Sequence, residues 1–344
     1  MNVSLPFFSV VMPVLNEERY IEGAISSLLD QVQDQDMELL VMDGGSRDST
    51  CAIVAQLAAD RPEIRLIDNP ERTQSAACNL AAGLVDARSQ ILLRADAHAV
   101  YPPGFIANAI QAFVETRATS VVVPMRTVGS SVLQRAIAAT QNSRLGNGGS
   151  SHRRAGMSRF VDHGHHAVFD LAFFRSIGGY DPKFTHNEDC ELDVRALGAG
   201  GRVWLCADAP IDYFPRETLG QLARQYTRHG RGRAKTTIKH HLRLKLRQCL
   251  PLVLLASVLL ALLTPVFPWA AAPAMIYFGT CLLWGVVAAA RQRDAAIMMM
   301  GPAAIVMHLS WAVGFLDGQL LFRLARPSQT MVLPTVSNMQ GSTE

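Results

Sequence analysis

Charged residues are missing from long stretches of the C-terminal third of this 344-residue chain. No Asp, Glu, Lys or Arg occurs among the 43 residues at 248–290, and the 22 residues at 295–316 are also uncharged. Because a membrane-spanning helix needs about 20 apolar residues, the first run has room for two spans around a proline-containing turn at 264–273. The second run has room for a third span. A buried helical hairpin is the alternative, but 43 uncharged residues exceed what core helices usually need.

The charges that precede this region are distributed unevenly. Ten lysine and arginine residues and one acid, Glu217, lie in 216–247, whereas the first 215 residues carry a net charge of −7. This asymmetry is not that of one ordinary globular domain. We predict a catalytic domain, a basic juxtamembrane segment, a membrane domain of about three transmembrane helices and a tail, at 1–215, 216–247, 248–322 and 323–344.

The positions of the basic residues predict an orientation, because lysine and arginine accumulate in cytoplasmic loops. Basic residues at 243–247 precede the first span, and those at 291–293 separate the second span from the third. We therefore expect a multi-pass protein of the inner (cytoplasmic) membrane with a cytoplasmic catalytic domain. Arg323 and Arg326 conflict with a simple third crossing, so either the third segment re-enters or the tail is exported.

The sequence shows neither a cysteine pattern nor a stretch that resembles a signal peptide. The six cysteines show no CxxC spacing and no metal-binding pattern, which favours reduced thiols in a cytosolic domain. The apolar stretch at 3–15 has no basic residue before it and contains two prolines. It does not resemble a signal peptide.

Apolar, β-branched runs alternate with helical patterns through the first part of the chain. The alternation predicts an α/β fold with a mainly parallel sheet. In such sheets, ligands bind outside the carboxyl ends of the strands, so the polar residues after each strand are the candidates for function. The predicted strands are 8–13, 37–42, 64–67 and 90–95, and the predicted helices are 17–32, 49–60 and 74–86.

Three predicted strand ends carry polar side chains. Asn16 and Glu17 follow the first strand, Asp43 follows the second, and Asp96-Ala-His98 follows the fourth. Asp43 precedes two glycines, so it can accept hydrogen bonds from a base or a ribose while the backbone approaches closely. Asp96 and His98 would lie on one side of an extended segment, which suits a divalent cation beside a diphosphate. Taken singly, each signal is also that of an ordinary turn or polar loop.

Together and in this order, these segments resemble family 2 glycosyltransferases of the GT-A type. The resemblance covers roughly residues 7–240, and the set of motifs is specific although no single motif is. Within the family, the chain is similar to the succinoglycan-type exopolysaccharide glucosyltransferases, which share its Asp-Ala-His motif and its Gly-Arg-Gly-Arg stretch before membrane spans. The matching segments are Ser9–Glu17, Met42–Thr50, Gln74–Gly83, Asp96–His98, Ile177–Asp181 and Asn187–Asp189.

The resemblance implies a nucleotide-sugar site with a metal. Asp96 and His98 would hold Mg²⁺ or Mn²⁺ across the diphosphate, where a cation stabilises the charge of the leaving group. His98 stands where the family more often has a second aspartate. Imidazole suits Mn²⁺ better than Mg²⁺, and the alternative is that His98 hydrogen-bonds a phosphate without touching the metal. The implied nucleotide-sugar-binding residues are Pro13, Asn16, Glu17, Asp43, Asn79 and Asp96.

The resemblance also implies a catalytic base. Asp189 would take the proton from the acceptor hydroxyl in a single-displacement, inverting transfer that needs no covalent intermediate. Without the other motifs, Glu188 and Asp189 would be read as acids at a helix N-terminus.

The same resemblance implies acceptor and diphosphate contacts. Gln225-x-x-Arg228 resembles the family's Gln-x-x-Arg-Trp motif but lacks its tryptophan. Guanidinium groups suit pyrophosphate, and a basic collar that binds anionic lipid headgroups is a second interpretation compatible with the first. The implied acceptor or diphosphate residues are Glu188, Gln225, Arg228 and Arg231.

Two stretches rich in glycine and histidine, 145–154 and 163–166, remain without a motif. No cysteine or carboxylate stands at ligand spacing, so we expect no zinc site. They predict either a flexible, acceptor-facing loop that closes over substrate or a plain surface loop.

These expectations combine into one function. We expect a membrane-anchored, inverting glycosyltransferase that moves a hexose, glucose by the resemblance, from a UDP-sugar to a lipid-linked (polyprenyl diphosphate) saccharide in exopolysaccharide biosynthesis. Its partners would be these substrates and the membrane, with no nucleic acid. Three short spans are too few for an export channel, so we do not expect a processive synthase. The alternatives are a polyprenyl-monophosphate glycosyltransferase and a non-enzymatic membrane scaffold subunit that retains the fold.

Overall fold

The computed structural model describes residues 5–32, 35–148 and 156–324. Strands and helices alternate in the N-terminal part as the sequence predicts. The first elements are β1 (Phe8–Val14), α1 (Ile21–Leu29), β2 (Met37–Asp43), α2 (Thr50–Asp60), β3 (Ile64–Asp68), α3 (Gln74–Leu84) and β4 (Ile91–Arg94). They are followed by β5 (Ala99–Val100), α4 (Phe105–Thr116), β6 (Ser120–Val123), β7 (Met125–Thr127), α5 (Val132–Asn142), α6 (Arg144–Asn147), β8 (Arg159–Val161), β9 (His165–Asp170), α7 (Leu171–Ser176), α8 (Glu188–Gly198), β10 (Val203–Leu205) and β11 (Ile211–Tyr213).

The main sheet has eight strands in the order β3-β2-β1-β4-β9-β6-β10-β8, and β5, β11 and β7 form a second, three-stranded sheet. Strands β1 to β4 pair in parallel, which confirms the predicted mainly parallel sheet. Strand β9 lies antiparallel between β4 and β6. Its first residue, His165, therefore lies at the edge where β4 ends.

Each face of the main sheet is covered by apolar helices. Val10 and Met12 of β1 point into one core with α1, α2 and α4, whereas Val11 of the same strand points into the other core with α3 and α7. The central strands β1, β2 and β4 are buried on both faces, so they are continuous apolar runs rather than alternating ones. Each fully buried aliphatic side chain contributes about 1.5–3 kcal/mol to stability.

The chain between β1 and α1 is a loop rather than the predicted first turn of a helix. The backbone N–H of Glu17 donates to Thr50 Oγ1 (2.8 Å), and that of Glu18 donates to Asp48 Oδ2 (3.2 Å). These bonds tie the loop to the segment after β2, so α1 begins at Ile21 and not at residue 17. Glu17 is thereby held outside the helix, beside the strand ends.

The C-terminal part is helical, with α9 (Leu219–Lys239), α10 (Leu246–Leu260), α11 (Ala272–Gln292) and α12 (Met300–Leu324), and with short 3₁₀ turns at Ala261–Leu263, Pro268–Ala271 and Ala295–Met299. Three segments are long and apolar enough to cross a membrane: Leu246–Leu263, Pro268–Gln292 and Ala295–Leu324. They coincide with the three spans that the two uncharged runs predict. The side of the membrane on which each end lies stays a prediction, and most of the predicted tail (325–344) lies outside the described residues.

The basic segment forms helix α9, which packs along α12. The two backbones approach so closely that a Cβ on Gly314 would lie 2.0 Å from the carbonyl oxygen of Thr227, and one on Gly230 would lie 2.2 Å from that of Trp311. Glycine at these two positions is what permits this contact. The third apolar helix is thus covered on one side by α9, and 44% of its most apolar 18-residue stretch is buried.

Substituting Gly314 by alanine should separate α9 from α12. The added methyl group overlaps the Thr227 carbonyl, and such overpacking costs about 1–3 kcal/mol. The measurement is the thermal unfolding midpoint of the full chain in detergent. Gly279→Ala on α11 is the matched control, because nothing lies within 4 Å of its added Cβ. Equal midpoints for the two variants would contradict this account of the helix contact.

Candidate active site

Asp43 ends β2 at the carboxyl edge of the sheet. Its carboxylate is nearly buried and accepts hydrogen bonds from the backbone N–H groups of Gly45 (2.9 Å) and Ser46 (3.1 Å). Gly45 has φ of +87°, a left-handed conformation that glycine adopts without strain. Asp43 therefore organises its own turn. Each carboxylate oxygen retains acceptor capacity for a ligand.

The loop after β1 is bonded to this turn. The N–H of Asn16 donates to Ser46 Oγ (2.9 Å), and the N–H of Arg47 donates to Asn16 Oδ1 (2.8 Å). Pro13 fits within β1 because β4 ends at Arg94, opposite Val11, so no strand faces the missing N–H of the proline. These hydrogen bonds join the loop after β1 and the turn after β2 into one surface beside the strand ends.

Glu17 and His98 form a pair at this edge. His98 Nδ1 lies 3.0 Å from Glu17 Oε1, and the imidazole is about one-third exposed. Burial lowers the pKa of His98, but the hydrogen bond to Glu17 and the charge of Asp96 outweigh burial and raise it above its ordinary value. A carboxylate on one ring nitrogen orients the other nitrogen, as is usual for metal-binding histidines.

Asp96 lies deeper in the same site. Its Oδ1 accepts from Gln74 Nε2 (3.2 Å), and its backbone N–H donates to the hydroxyl of Tyr101 (2.5 Å). Arg94 and His165 contact its carboxylate at 3.5 and 3.4 Å. Burial raises the pKa of Asp96, but the charges of Arg94 and the histidines lower it overall, so the carboxylate is ionised.

Arg94 connects the two halves of the site. Its side chain is 4% exposed, and Nη1 donates to Asp189 Oδ1 (2.6 Å) and to the hydroxyl of Tyr180 (2.9 Å), while Nη2 lies 3.5 Å from Asp96. Burial lowers the pKa of Arg94, but Asp189, Tyr180 and Asp96 raise it well above its ordinary value. A permanent cation therefore holds the two carboxylates together. Arg94 falls within the predicted strand 90–95, and no motif of the sequence indicated this function.

Asp189 and Glu188 stand side by side at the start of α8, where their protonation differs. Burial raises the pKa of Asp189, but Arg94, the histidines of β9 and the Tyr180 hydroxyl hold it well below its ordinary value. Burial and the charge of Asp189 raise the pKa of Glu188 to about 7. Near neutral pH, Asp189 is thus ionised while Glu188 exchanges its proton.

His165 is a site residue that the sequence did not reveal. Its Nε2 lies 3.4 Å from Asp96 Oδ2, and its Nδ1 lies 3.8 Å from Asp189 Oδ2. Burial, with a further contribution from Arg94, lowers the pKa of His165 to about 4, so the ring is neutral. No local pattern could have identified His165, because its position depends on the antiparallel insertion of β9.

The neighbouring histidines have a different partner. His163 Nδ1 lies 2.7 Å from one oxygen of Asp193, and His166 Nε2 lies 2.9 Å from the other. Asp193 belongs to α8, so these contacts position the helix that carries Asp189. Residues 163–164 form a loop as predicted, but the prediction was wrong for His165 and His166, because β9 begins at His165 and His166 is buried. The other predicted loop, 145–154, begins inside α6, and its residues 149–154 lie outside the described residues.

Asn79 contacts the turn that precedes Asp189. Its Nδ2 donates to the carbonyl of Tyr180 (2.7 Å), and its Oδ1 accepts from the N–H of Tyr180 (2.8 Å). Gly179 has φ of +62°, and a Cβ there would lie 2.3 Å from Asn79 Oδ1. Both ends of the Asn79 amide are engaged in positioning Tyr180, so a direct contact with a nucleotide sugar stays a prediction.

The predicted acceptor residues of α9 lie in different surroundings. Gln225 Nε2 donates to the hydroxyl of Tyr213 (3.3 Å), whose ring contacts His98 edge-on. Arg228 is exposed, whereas Arg231 forms an ion pair with Asp317 of α12. Gln225 is therefore linked through Tyr213 to His98, and Arg231 is paired with the apolar helix α12.

The site fits a divalent cation that takes part of its ligands from a nucleotide. One carboxylate, Asp96, and one carboxylate-oriented imidazole, His98, supply oxygen and nitrogen donors suited to such an ion. In the described part of the chain, no group of three His, Cys, Asp or Glu side chains could hold a metal alone. Diphosphate oxygens and water would have to complete the coordination.

The fold defines a class of protein. The solved mannosyltransferase PcManGT from Pyrobaculum calidifontis, in complex with GDP-Man and Mn²⁺, superposes on this chain with a TM-score of 0.58 and 19% identity. The match covers 94% of this chain and 89% of that one. The chain has the GT-A glycosyltransferase fold, as the motifs predicted.

Sequence similarity defines the family. Residues 9–178 match the family described as glycosyl transferase family 2. The succinoglycan biosynthesis protein ExoA of Rhizobium meliloti (strain 1021) is 42% identical over 314 residues, which is 91% of this chain and 95% of that protein. A dolichyl N-acetyl-alpha-D-glucosaminyl phosphate 3-beta-D-2,3-diacetamido-2,3-dideoxy-beta-D-glucuronosyltransferase of Methanococcus voltae is 22% identical over 236 residues, 65% of this chain and 72% of that protein. This chain belongs to glycosyltransferase family 2 and is a glycosyltransferase.

Proposed function

We propose that this enzyme is a membrane-anchored, inverting glycosyltransferase. It moves a hexose, which we propose is glucose, from a UDP-sugar to a lipid-linked saccharide in exopolysaccharide biosynthesis. It would act at the inner membrane, with residues 1–215 as a cytoplasmic catalytic domain. The observation that carries the proposal is the Arg94 bridge between Asp96 on the donor side and Asp189 on the acceptor side. The pathway is supported by the similarity to ExoA, and the anchor by three apolar helices.

The donor would lie against the surface formed by the hydrogen-bonded loops after β1 and β2. Asp43 accepts hydrogen bonds from the nucleoside, and Pro13, Asn16 and Glu17 shape the adjoining surface. Asp96 and His98 would hold Mg²⁺ or Mn²⁺, which when bound neutralises the charge on the departing diphosphate. The similarity to a fold bound to Mn²⁺ supports a divalent metal, and the imidazole of His98 favours Mn²⁺.

The acceptor hydroxyl would approach Asp189. Oδ1 of Asp189 is held by Arg94 and Tyr180, which leaves Oδ2 to take the proton. The hydroxyl oxygen forms the new bond to the anomeric carbon as the bond to the UDP oxygen breaks. UDP leaves with the electron pair, the proton moves to Asp189, and the anomeric configuration inverts. Glu188, Gln225 and Arg228 would line the acceptor side.

The rate of transfer should rise with pH through the pKa of Glu188. Burial and Asp189 raise this pKa to about 7, so Glu188 becomes a second carboxylate above neutral pH and makes Asp189 a stronger base. We expect about a tenfold rise between about pH 6 and 8, and a flat profile for Glu188→Gln. Glu22→Gln, an exposed change on α1, is the control. If Glu188→Gln keeps the wild-type rise, a different group controls the rate.

The proposed function is tested by incubating membranes that contain the enzyme with radiolabelled UDP-, GDP- and other nucleotide sugars. Label should enter the lipid-extractable fraction from one UDP-hexose, and chelation of divalent metals should prevent it. No transfer from any donor would call for a titration of UDP with Mn²⁺. The absence of nucleotide binding would then overturn the proposal.

A further inference from the structure

A cavity of about 620 Å³ lies between the start of α8 and the apolar helices. Asn187 and Cys190, which flank Glu188 and Asp189, line one wall. The opposite wall is formed by the apolar helices α10, α11 and α12, through side chains that include Leu250, Tyr277 and Trp311. The cavity therefore joins the acceptor side of the candidate active site to the segments that are apolar enough to span a membrane.

The polar part of the cavity is strongly basic. Arg144, Arg233, Arg243 and Arg247 line it together with Lys245, and Asp162, the only acid among the described lining residues, pairs with Lys245. Within the described parts of the chain, no carboxylate lies within 4 Å of the four arginines. Four guanidinium groups thus line one space without a counter-charge from the described residues.

Arg233 is the least exposed of these cations. The residue is 8% exposed, and among the described residues its guanidinium donates hydrogen bonds only to the neutral atoms Cys190 Sγ (2.7 Å) and Gln248 Oε1 (3.4 Å). Its buried Nε has no hydrogen-bond partner in the described structure. A buried cation without an anion is strongly unfavourable, so an anionic ligand in the cavity would remove a cost that the protein otherwise carries.

We propose that this cavity binds the diphosphate and first isoprene units of a polyprenyl-diphosphate-linked acceptor. The proposal rests on the proposed function and adds the site at which the lipid carrier of its acceptor is held. Arginine recognises phosphate oxygens with paired hydrogen bonds, and four such groups match a diphosphate better than a single phosphate. The apolar wall accommodates the chain, and the position beside α8 presents the first sugar to Asp189. Anionic phospholipid headgroups share the phosphate chemistry, so the experiment must separate the two.

The test measures binding of a fluorescent farnesyl diphosphate analogue to the full chain in neutral detergent, in the absence of any sugar donor. We expect saturable binding that falls at least tenfold in Arg233→Gln. Arg247→Gln, at a less buried position in the lining, should show a smaller loss in the same direction. Arg224→Gln, an exposed change on the same helix as Arg233 but outside the cavity, should bind like the wild type. Farnesyl monophosphate should compete more weakly than farnesyl diphosphate.

Three results would overturn this inference. One is undiminished binding in both Arg233→Gln and Arg247→Gln; should Arg233→Gln fail to fold, Arg247→Gln alone decides. The second is competition by phosphatidylglycerol as effective as that by farnesyl diphosphate, which would assign the cavity to bulk lipid. The third is equal affinity for farnesyl monophosphate. UDP–Mn²⁺ binding, measured on the same samples, reports on the proposed function separately, because it does not require an occupied cavity.

Discussion

Replacing Asp189 by asparagine should lower sugar transfer by about 10²- to 10⁴-fold, the range that a positioned general base contributes, while UDP binding stays within twofold of the wild type. Asparagine has nearly the same shape and can still accept a hydrogen bond from Arg94 or Tyr180. It cannot accept the proton of the acceptor hydroxyl. The measurement pairs the initial transfer rate with a UDP titration on the same preparation.

Asp60→Asn is the matched control for this change, because Asp60 is exposed at the end of α2, away from the strand ends. It should transfer sugar like the wild type. A fully active Asp189→Asn enzyme would contradict the assignment and favour a polyprenyl-monophosphate glycosyltransferase, in which a phosphate attacks and needs no base. A wild-type protein with no nucleotide affinity would instead favour the scaffold alternative.

Replacing Asp96 by asparagine should remove most of the contribution of Mn²⁺ to UDP binding. We expect wild-type affinity for UDP to be at least tenfold higher with Mn²⁺ than with a chelator, because the ion links the carboxylate to the diphosphate. In Asp96→Asn, the affinities with Mn²⁺ and with chelator should be nearly equal. Transfer should fall by about 10³-fold, since the developing leaving-group charge is no longer stabilised.

The chelator arm is the internal control for the Asp96 variant. Without metal, Asp96→Asn and the wild type should bind UDP equally, because the nucleoside contacts at Asp43 are unchanged. Weaker metal-free binding in the variant would mean that the substitution disturbs the site through Arg94 or Gln74 rather than through an ion. An unchanged ten-fold response to Mn²⁺ would show that Asp96 is not a ligand.

Much of the fold was predictable because its signals are local. The strands from β1 to β4 and the helices between them appear within a few residues of their predicted bounds, since buried strands and amphipathic helices each have a characteristic apolar pattern. Loop positions were harder to predict. Helix α1 begins late because Glu17 and Glu18 bond to residues 30 or more positions away, which no local pattern contains.

The candidate site was only partly predictable, for the same reason. Asp43, Asp96, His98 and Asp189 were predicted as site residues because short motifs surround them. The network that joins Asp96 to Asp189 was not predicted. Arg94 is the last residue of the buried strand β4, and nothing in the local sequence distinguishes it. Only the folded chain brings Tyr180 and Asp189 to it.

The sequence by itself determined the class of this protein: an α/β catalytic part, a basic segment and three apolar stretches, with the motifs of a glycosyltransferase. The α/β part, the basic segment and the apolar stretches follow from composition and periodicity, and the glycosyltransferase class follows from the resemblance of short motifs to those of the family. Only the tertiary structure decided that His165 faces Asp96, that α9 lies against α12, and that Arg233 is buried in a basic cavity beside α8. Each of these depends on strand order or on helix contacts between distant segments. Such contacts are selected by the packing of the whole chain, not by the residues next to them.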